Sequence, residues 1–208
     1  MKENEKEKLD IEFKIITLGN IGVGKTSIIQ RFVSDEFNLK QFSTMGISHN
    51  FKIIETNKKK IKLQLIDTGG QEKYRSLSIS YFRHVDAVLF VFDLNNPQSF
   101  DSIQYWIDLF NENDNGKNIK GKYLIGNKSD LEQKVDQNLI DELTQKNNIL
   151  YWSTSANTKH QIDHLFNYIS GDLYDYLEKN PKKKEDTNAS KGKIISKTNL
   201  NKKEKKWC

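Results

Sequence analysis

Three short segments, far apart in the chain, carry the polar and glycine residues best suited to chemistry. They are GNIGVGKT at Gly19–Thr26, DTGGQE at Asp67–Glu72 and NKSD at Asn127–Asp130. Each lies at or just after the end of an apolar run of the type that forms buried strands. Ligands of open α/β sheets bind at the carboxyl ends of the strands, so we expect the three segments to form one site.

The first segment predicts a phosphate-binding loop, because it matches G-x-x-x-x-G-K-[ST] between a predicted strand, Phe13–Leu18, and a predicted helix that begins at Lys25. Its glycines let the backbone N–H groups point inward, and the helix N-terminus adds a positive dipole end. Lys25 then reaches the β- and γ-phosphates, and the Thr26 hydroxyl binds Mg²⁺. This segment alone fits ATP as well as GTP. The residues expected to contact the nucleotide here are Asn20, Ile21, Gly22, Val23, Gly24, Lys25, Thr26 and Ser27.

The second segment supplies candidates for magnesium binding and for hydrolysis of the γ-phosphate. Asp67 ends a predicted strand, where its carboxylate can hold the magnesium ion, mostly through water. The Gly70 N–H faces the γ-phosphate, and Gln71 beside it can orient the attacking water without a shifted pKa. We therefore predict that Gln71, Lys25 and Gly70 are the catalytic residues.

The third segment bears on the choice of base. The Asp130 carboxylate can accept from guanine N1–H and N2–H₂, whereas adenine offers no donor at either position. Sites built for such hydrogen bonds reject the analogue that lacks them by about 10⁴–10⁵. Asn127 lies beside the base, the Lys128 stem can cover the purine plane, and a backbone N–H of Ser155-Ala156 can reach guanine O6. The three segments together predict GTP.

The elements that must position these residues alternate along the chain. The predicted strands are Phe13–Leu18, His49–Thr56, Lys60–Ile66, Asp86–Leu94, Lys122–Ile125 and Ile149–Ser153, the second and third forming a hairpin. Helical spacing of apolar residues predicts helices at Ser99–Asn113 and Ile162–Leu177, besides the helix that follows the first loop. This alternation predicts an α/β fold with a doubly wound, mostly parallel six-stranded sheet and helices on both faces.

Charge divides the 208-residue chain unevenly. From residue 181 onward there are ten Lys against three acidic residues, a net of +7, so the preceding part carries −2 of the total +5. We expect a flexible N-terminus at 1–10, one GTPase domain at 11–178 and a disordered basic tail at 179–208. A near-neutral domain argues against nucleic acid as a partner. The single Cys is typical of a reducing compartment, and no signal peptide or membrane span is visible.

In order and spacing, GNIGVGKTS, Thr44-Met45-Gly46, DTGGQEKYR, GNKSDL and TSAN resemble the Ras superfamily over roughly Ile11 to Glu178. STMGI, KLQLIDTGGQEKYRSL, SYFR and the basic tail ending in Cys are similar to the Rab family within it. The resemblance implies the fold of a P-loop small GTPase. It also implies that Thr44 coordinates Mg²⁺ and senses the γ-phosphate, and that Phe37 packs against the guanine.

The resemblance further implies a slow GTPase that switches between GTP and GDP with Mg²⁺. Its switches, 30–48 and 69–81, would bind an exchange factor, a GTPase-activating protein and effectors. We expect a monomer that serves vesicle and membrane trafficking on the cytoplasmic face of intracellular membranes and cycles with the cytosol. The alternatives are a hydrolysis-impaired GTP-binding scaffold and a Ras-branch signalling GTPase.

Several residues depart from the family pattern. Ile21 occupies a loop position that is usually small, close to the space that Gln71 needs, which favours the impaired alternative. His49 and Ile66 stand where Rab proteins commonly present Phe and Trp beside a Tyr, here Tyr81, so atypical effectors are expected. Asn157, counted among the nucleotide-binding residues, replaces the usual Lys of the last motif. This removes packing near the base but leaves the Ser155-Ala156 backbone contact.

The last residue, Cys208, follows a lysine-rich stretch and is a candidate for lipidation. Nothing follows it, so the C-a-a-X pattern is absent, and relatives without that pattern usually end in paired cysteines. One prenyl chain binds membranes only marginally, but a lipid and a basic segment together form a stable anchor. The alternative is that Cys208 simply ends a solvated tail.

Overall fold

The computed structural model describes residues 11–39, 44, 46–56, 59–69, 75–114 and 119–180, without the side chains of 75–78. Within these ranges the strands are β1 (Ile11–Leu18), β2 (Ile47–Thr56), β3 (Lys59–Thr68), β4 (Ala87–Asp93), β5 (Gly121–Asn127) and β6 (Leu150–Ser153). The helices are α1 (Lys25–Ser34), α2 (Arg75–Phe82), α3 (Pro97–Asp101), α4 (Ile103–Asn113), α5 (Gln137–Asn147) and α6 (Ile162–Lys179). The expected flexible N-terminus and disordered tail lie outside the described residues, apart from Lys179, the last residue of α6, and its cap Asn180.

The six strands form one sheet in the order β2-β3-β1-β4-β5-β6. Only β2 is antiparallel to its neighbour, β3, and the other four pairings are parallel. The prediction of a doubly wound, mostly parallel sheet is confirmed. The chain adds β3 on one side of β1 and β4 on the other, so the topological switch point lies at the carboxyl end of β1, where the glycine-rich loop begins.

Both faces of the sheet are covered, which explains why the central strand reads as a continuous apolar run. Successive residues of β4 alternate between two hydrophobic clusters, Leu89 and Val91 belonging to one and Val88 and Phe90 to the other. Helices α1 and α6 close the first cluster. The second is closed by α2, α4 and α5.

The observed elements differ from the predicted ones mainly in the helices. The helix predicted over Ser99–Asn113 is two helices, α3 and α4, with Ser102 between them. Helix α5 carries only one buried residue, Ile140, so its apolar period is too weak to be seen in the sequence. Its start does carry a local signal, because the Asp136 side chain accepts from the Asn138 N–H as an N-cap. Among the described helices, none combines the length and apolar character needed to cross a membrane.

Candidate functional site

The glycine-rich loop between β1 and α1 depends on backbone that other residues rarely adopt. Gly22 and Gly24 have φ of 78° and 98°, in the left-handed region. A Cβ on Gly19 would lie 2.1 Å from the Val91 carbonyl oxygen, and a Cβ on Gly24 would lie 2.3 Å from the Asn127 amide nitrogen. The glycines therefore allow the loop to press against the ends of β4 and β5.

Lys25, the first residue of α1, closes this loop from inside. Its Nζ donates to the carbonyl oxygens of Gly19 and Asn20 at 2.8 and 2.9 Å. The residue is only 5% exposed, and burial lowers the pKa of the ammonium to about 8, while the nearby Asp67 carboxylate acts in the opposite direction. A buried ammonium with a lowered pKa is stabilised by any anion brought to the loop, which is the electrostatic condition for holding phosphates.

Thr26, Thr44 and Asp67, the three predicted magnesium ligands, lie together. The Thr26 hydroxyl donates to Asp67 Oδ2 at 2.6 Å and lies 2.6 Å from the Thr44 hydroxyl, and Thr44 Oγ1 is 3.5 Å from the same carboxylate oxygen. Asp67 is fully buried, its Oδ1 has no hydrogen-bond partner, and burial raises the pKa of the carboxyl. An orphaned buried carboxylate oxygen beside two hydroxyls is a hard oxygen set that fits a magnesium ion.

A cleft of about 280 Å³ joins the glycine-rich loop to the third motif. Phe37 forms one wall, and its ring lies 5.5 Å from the guanidinium carbon of Arg31. The residues lining the cleft are Gly24, Ser27, Phe37, Asn38, Leu39, Asn127, Lys128, Asp130, Leu131, Ala156 and Asn157. Residues that are far apart in sequence thus surround one space beside the phosphate loop.

Asn127, at the end of β5, connects three loops. Its buried amide donates to the Val23 carbonyl oxygen at 2.9 Å. Its Oδ1 accepts from the Ala156 N–H at 3.2 Å and from the Thr154 hydroxyl at 3.5 Å. We expected a backbone N–H of Ser155-Ala156 to reach guanine O6. In this structure the Ala156 N–H donates to Asn127 Oδ1, and the Ser155 N–H donates to the His160 carbonyl at 3.1 Å. A base at that position would have to share one of these N–H groups.

Asp130 lines the cleft, and both of its carboxylate oxygens accept hydrogen bonds. Oδ1 accepts from the Ser155 hydroxyl at 2.5 Å, and Oδ2 accepts from the Asn157 amide at 2.9 Å. Burial by itself would raise the pKa of Asp130, but the hydrogen bonds from Ser155 and Asn157 outweigh it and keep the pKa below its usual value. Asn157 therefore orients the carboxylate, a contact that the sequence did not indicate.

Lys128 stands in a left-handed conformation, with φ of 64°, so that its side chain turns toward β4. Its Nζ lies 2.7 Å from Asp93 Oδ2, and the other oxygen of Asp93 accepts from the Asn95 N–H at 2.9 Å. Asp93 was not among the predicted site residues. The position of Asp93 at the end of a buried strand is the one sequence signal that could have found it.

The side chains of three residues in the glycine-rich loop, Asn20, Ile21 and Val23, do not line the cleft. The Asn20 side chain turns away, donating to Ser102 Oγ and accepting from the Trp106 indole, both at 2.9 Å. Val23 is buried in the core, and Ile21 is 50% exposed. Any contact of these residues with phosphates would run through their N–H groups.

The predicted catalytic residues Gly70 and Gln71, and the lipidation candidate Cys208, lie outside the described residues. The closeness of Ile21 to Gln71 therefore stays a prediction. Likewise, only parts of the two switch segments are described. Residues 30–34 of the first segment belong to α1, and residues 75–81 of the second belong to α2.

The expected effector patch differs from the sequence interpretation at one residue. The rings of His49 and Tyr81 lie 5.4 Å apart, and Gln64 Nε2 lies 2.9 Å from His49 Nδ1. Ile66, which we placed in this patch, is only 2% exposed and packs in the second hydrophobic cluster. The surface beside α2 is therefore formed by His49, Gln64 and Tyr81, and Ile66 lies beneath it.

The chain is similar in sequence to known proteins. The sequence model of the Ras family matches residues 14–175. Ras-related protein Rab-13 of Mesocricetus auratus is 36% identical over 163 residues, which cover 77% of this chain and 79% of that protein. Ras-related protein Rab-10 of Diplobatis ommata is 35% identical over 183 residues, covering 87% and 89%, and human Ras-related protein Rab-30 is 35% identical over 162 residues, covering 77% and 79%.

Substitutions in the glycine-rich loop should separate steric from conformational cost. In nucleotide-free protein we expect Gly19→Ala to lower the free energy of unfolding by more than about 3 kcal/mol, because its Cβ meets the rigid Val91 backbone. Gly22→Ala, with positive φ but nothing within 4 Å of its Cβ, should cost only about 1–2 kcal/mol. Urea unfolding measures both, and equal losses would contradict the packing described for Gly19.

Proposed function

The chain belongs to the Ras family and is a Rab-like small GTPase by sequence, and we propose that it binds GTP and GDP as a molecular switch and hydrolyses GTP. One observation supports this above all. The cleft lined by Asp130, whose pKa is kept low by hydrogen bonds, extends to Gly24 and Ser27. These two residues flank, in sequence, the buried Lys25 ammonium and the Thr26 hydroxyl that donates to Asp67.

The phosphate end binds through charge and backbone. A glycine-rich loop that leads into a helix N-terminus favours negative charge through its backbone N–H groups, and we assign that role to residues 19–27. Lys25 exchanges its bonds to the Gly19 and Asn20 carbonyls for the β- and γ-phosphate oxygens. A magnesium ion held by Thr26, Thr44 and Asp67 would neutralise charge that develops on the phosphates.

The base end of the cleft would select guanine through the remaining hydrogen-bond acceptor capacity of the Asp130 carboxylate. A carboxylate has about four lone-pair positions, and Ser155 and Asn157 occupy one on each oxygen of Asp130. The two donors of guanine, N1–H and N2–H₂, would use the acceptor capacity of the carboxylate that these bonds leave. Lys128, held by Asp93, lays its stem along one side of the purine, and Phe37 lies on another side of the cleft.

We further propose that Gln71 orients the attacking water and that the Gly70 N–H faces the γ-phosphate. The position of Thr44 supports a switch mechanism. Its hydroxyl contacts Thr26 and Asp67, and Thr44 itself belongs to the first switch segment, 30–48. Loss of the γ-phosphate would remove one reason for Thr44 to stay there. An exchange factor, a GTPase-activating protein and effectors would recognise this segment and the second switch, 69–81.

The proposed effector surface is more polar than the aromatic surface expected for the family. His49 and Gln64 offer hydrogen-bonding groups beside the Tyr81 ring. An effector would therefore present polar groups at this point. We propose that this switch acts in membrane trafficking, as a monomer on the cytoplasmic face of intracellular membranes that exchanges with the cytosol.

Base selectivity is tested at Asp130. Asp130→Asn should lower GTP affinity by at least about 100-fold and favour xanthine nucleotides, whose C2 oxygen suits an amide donor. Titration with GTP, XTP and ATP measures the effect. Asp101→Asn, an exposed change on α3, is the matched control and should leave the affinities unchanged. Tight ATP binding by the unaltered protein would exclude the guanine assignment.

Hydrolysis is tested at Gln71 and Ile21. We expect an intrinsic rate at or below roughly 3–5 × 10⁻⁴ s⁻¹, the value for a relative without its own arginine finger. Gln71→Leu should lower it further, and Ile21→Gly should raise it because the half-exposed side chain is removed from the loop. Single-turnover assays with and without cell extract measure these rates. If extract fails to accelerate the unaltered protein, the hydrolysis-impaired scaffold is the better description.

Membrane attachment is tested at Cys208. We propose that it is geranylgeranylated and that the lipid acts with the basic tail as a two-part anchor. Cys208→Ser should make the protein wholly soluble in its own cells, and neutralising Lys202, Lys203, Lys205 and Lys206 should weaken attachment in a salt-dependent way. Fractionation and intact-mass analysis measure both effects. An unmodified Cys208 on a membrane-bound protein would refute the lipid.

A further inference from the structure

Arg31, in the last turn of α1, makes four hydrogen bonds to two segments that are not neighbours in sequence. Its Nε donates to the Ala156 carbonyl at 2.8 Å, and its Nη2 donates to the Asn157 carbonyl at 3.1 Å. Its Nη1 donates to the backbone oxygen of Asp35 at 2.9 Å and to Asp35 Oδ1 at 3.3 Å. The guanidinium also lies against the Phe37 ring.

Both segments that Arg31 joins contribute to the lining of the cleft, one through Phe37 and the other through Ala156 and Asn157. One segment, Ser155, Ala156 and Asn157, lies in the loop after β6. Asp35 is the C-cap of α1, in a left-handed conformation, and begins the stretch that leads to Phe37. A second cation strengthens the same junction, because Lys159 Nζ lies 3.1 Å from Asp35 Oδ1. We call Arg31 with its partners Asp35, Phe37, Ala156 and Asn157 the clasp.

The fork of a guanidinium is the feature that makes this junction possible. Its planar N–H groups reach acceptors on two sides at once, whereas an ammonium is a single charged point. The Arg31 side chain is only 16% exposed, whereas its partner Asp35 is 61% exposed. Hydrogen bonds from a charged donor are also roughly twice as strong as those between neutral groups.

A chain of contacts leads from Arg31 to the group that reads the base. Arg31 holds the Asn157 carbonyl, and the Asn157 side chain donates to Asp130 Oδ2. Arg31 also donates a hydrogen bond to the carbonyl of Ala156, the residue before Asn157. Movement of Arg31 would therefore disturb the orientation of Asp130 as well as the loop itself.

We propose that Arg31 is a positioning residue that fastens the guanine-binding loop to the start of the first switch segment, so that displacement of Asp35–Phe37 also loosens the hold on the base. This inference rests on the proposed guanine-nucleotide binding. A partner protein that displaces the first switch segment would thereby weaken binding of the guanine base. This effect would not depend on the magnesium ligands. On this proposal Arg31 acts through the fork of its guanidinium and not through its charge alone.

The test is the release of GDP carrying a fluorescent group on its ribose, chased with excess GDP, from the full-length protein. Arg31→Met removes the fork but keeps an unbranched apolar stem, and Arg31→Lys keeps the charge. Both should release nucleotide about 10–100-fold faster, with association little changed, because lost bound-state contacts act mainly on dissociation. Lys62→Met is the matched control, since Lys62 also forms an ion pair and lies over an aromatic ring, but far from the cleft.

Three further measurements separate positioning from general destabilisation. Chelation with EDTA should accelerate release by the same factor in the variants as in the unaltered protein, because it acts at the other end of the cleft. The preference for GDP over IDP, which lacks the 2-amino group, should shrink in the variants, since Asp130 is less well oriented. Combining Arg31→Met with Phe37→Ala should accelerate release by less than the product of the single effects, because both belong to the clasp.

The outcomes are decisive in both directions. Unaltered release from Arg31→Met, or a release rate of Arg31→Lys equal to that of the unaltered protein, would overturn the clasp. An unchanged GDP-to-IDP preference in a faster-releasing variant would also overturn it, because Arg31 would then act only on overall stability. If the unaltered protein failed to bind GDP at all, the proposed function would fall instead, so the two failures are distinguishable.

Discussion

The buried amide of Asn127 is the interaction on which the rest of the site depends. It holds the glycine-rich loop through Val23 and the last loop through Ala156 and Thr154, while its own strand carries the third motif. Unpaired buried amides are costly, so these bonds fix the relative positions of the three loops. The close approach of Gly24 to the same amide follows from this arrangement, because only a residue without a Cβ fits there.

The proposed phosphate end shows the opposite condition, since burial disfavours the charged forms of Lys25 and Asp67. Burial lowers the pKa of Lys25 and raises that of Asp67, so each environment disfavours the ionised form despite their mutual attraction. Phosphates and a divalent cation would remove both penalties. Burial of these two charges therefore destabilises the folded protein when no ligand is bound. Ligands that bind only the folded state would restore that stability.

The base end is organised through hydrogen bonds rather than unpaired charge. Asp130 is kept ionised by Ser155 and Asn157, and Arg31 holds the backbone of the loop that carries them. Asn157 departs from the usual family residue, yet it takes up an orienting contact with Asp130. The departure at His49 likewise replaces apolar surface by a polar group. These changes alter the surroundings of the proposed nucleotide site and of the proposed effector surface without altering the sheet that supports them.

The sequence by itself determined the fold class, the six strands to within a few residues at their ends, and the three segments that would meet. This was possible because β4 and its neighbours are apolar on both faces and because glycine and motif spacing are local signals. Only the tertiary structure decided the contacts of Arg31, Asp93 and Asn157, the orientation of the Asn20 side chain away from the cleft and the burial of Ile66. Those properties depend on which side chains meet across distant loops, and neither helical period nor motif spacing records such meetings.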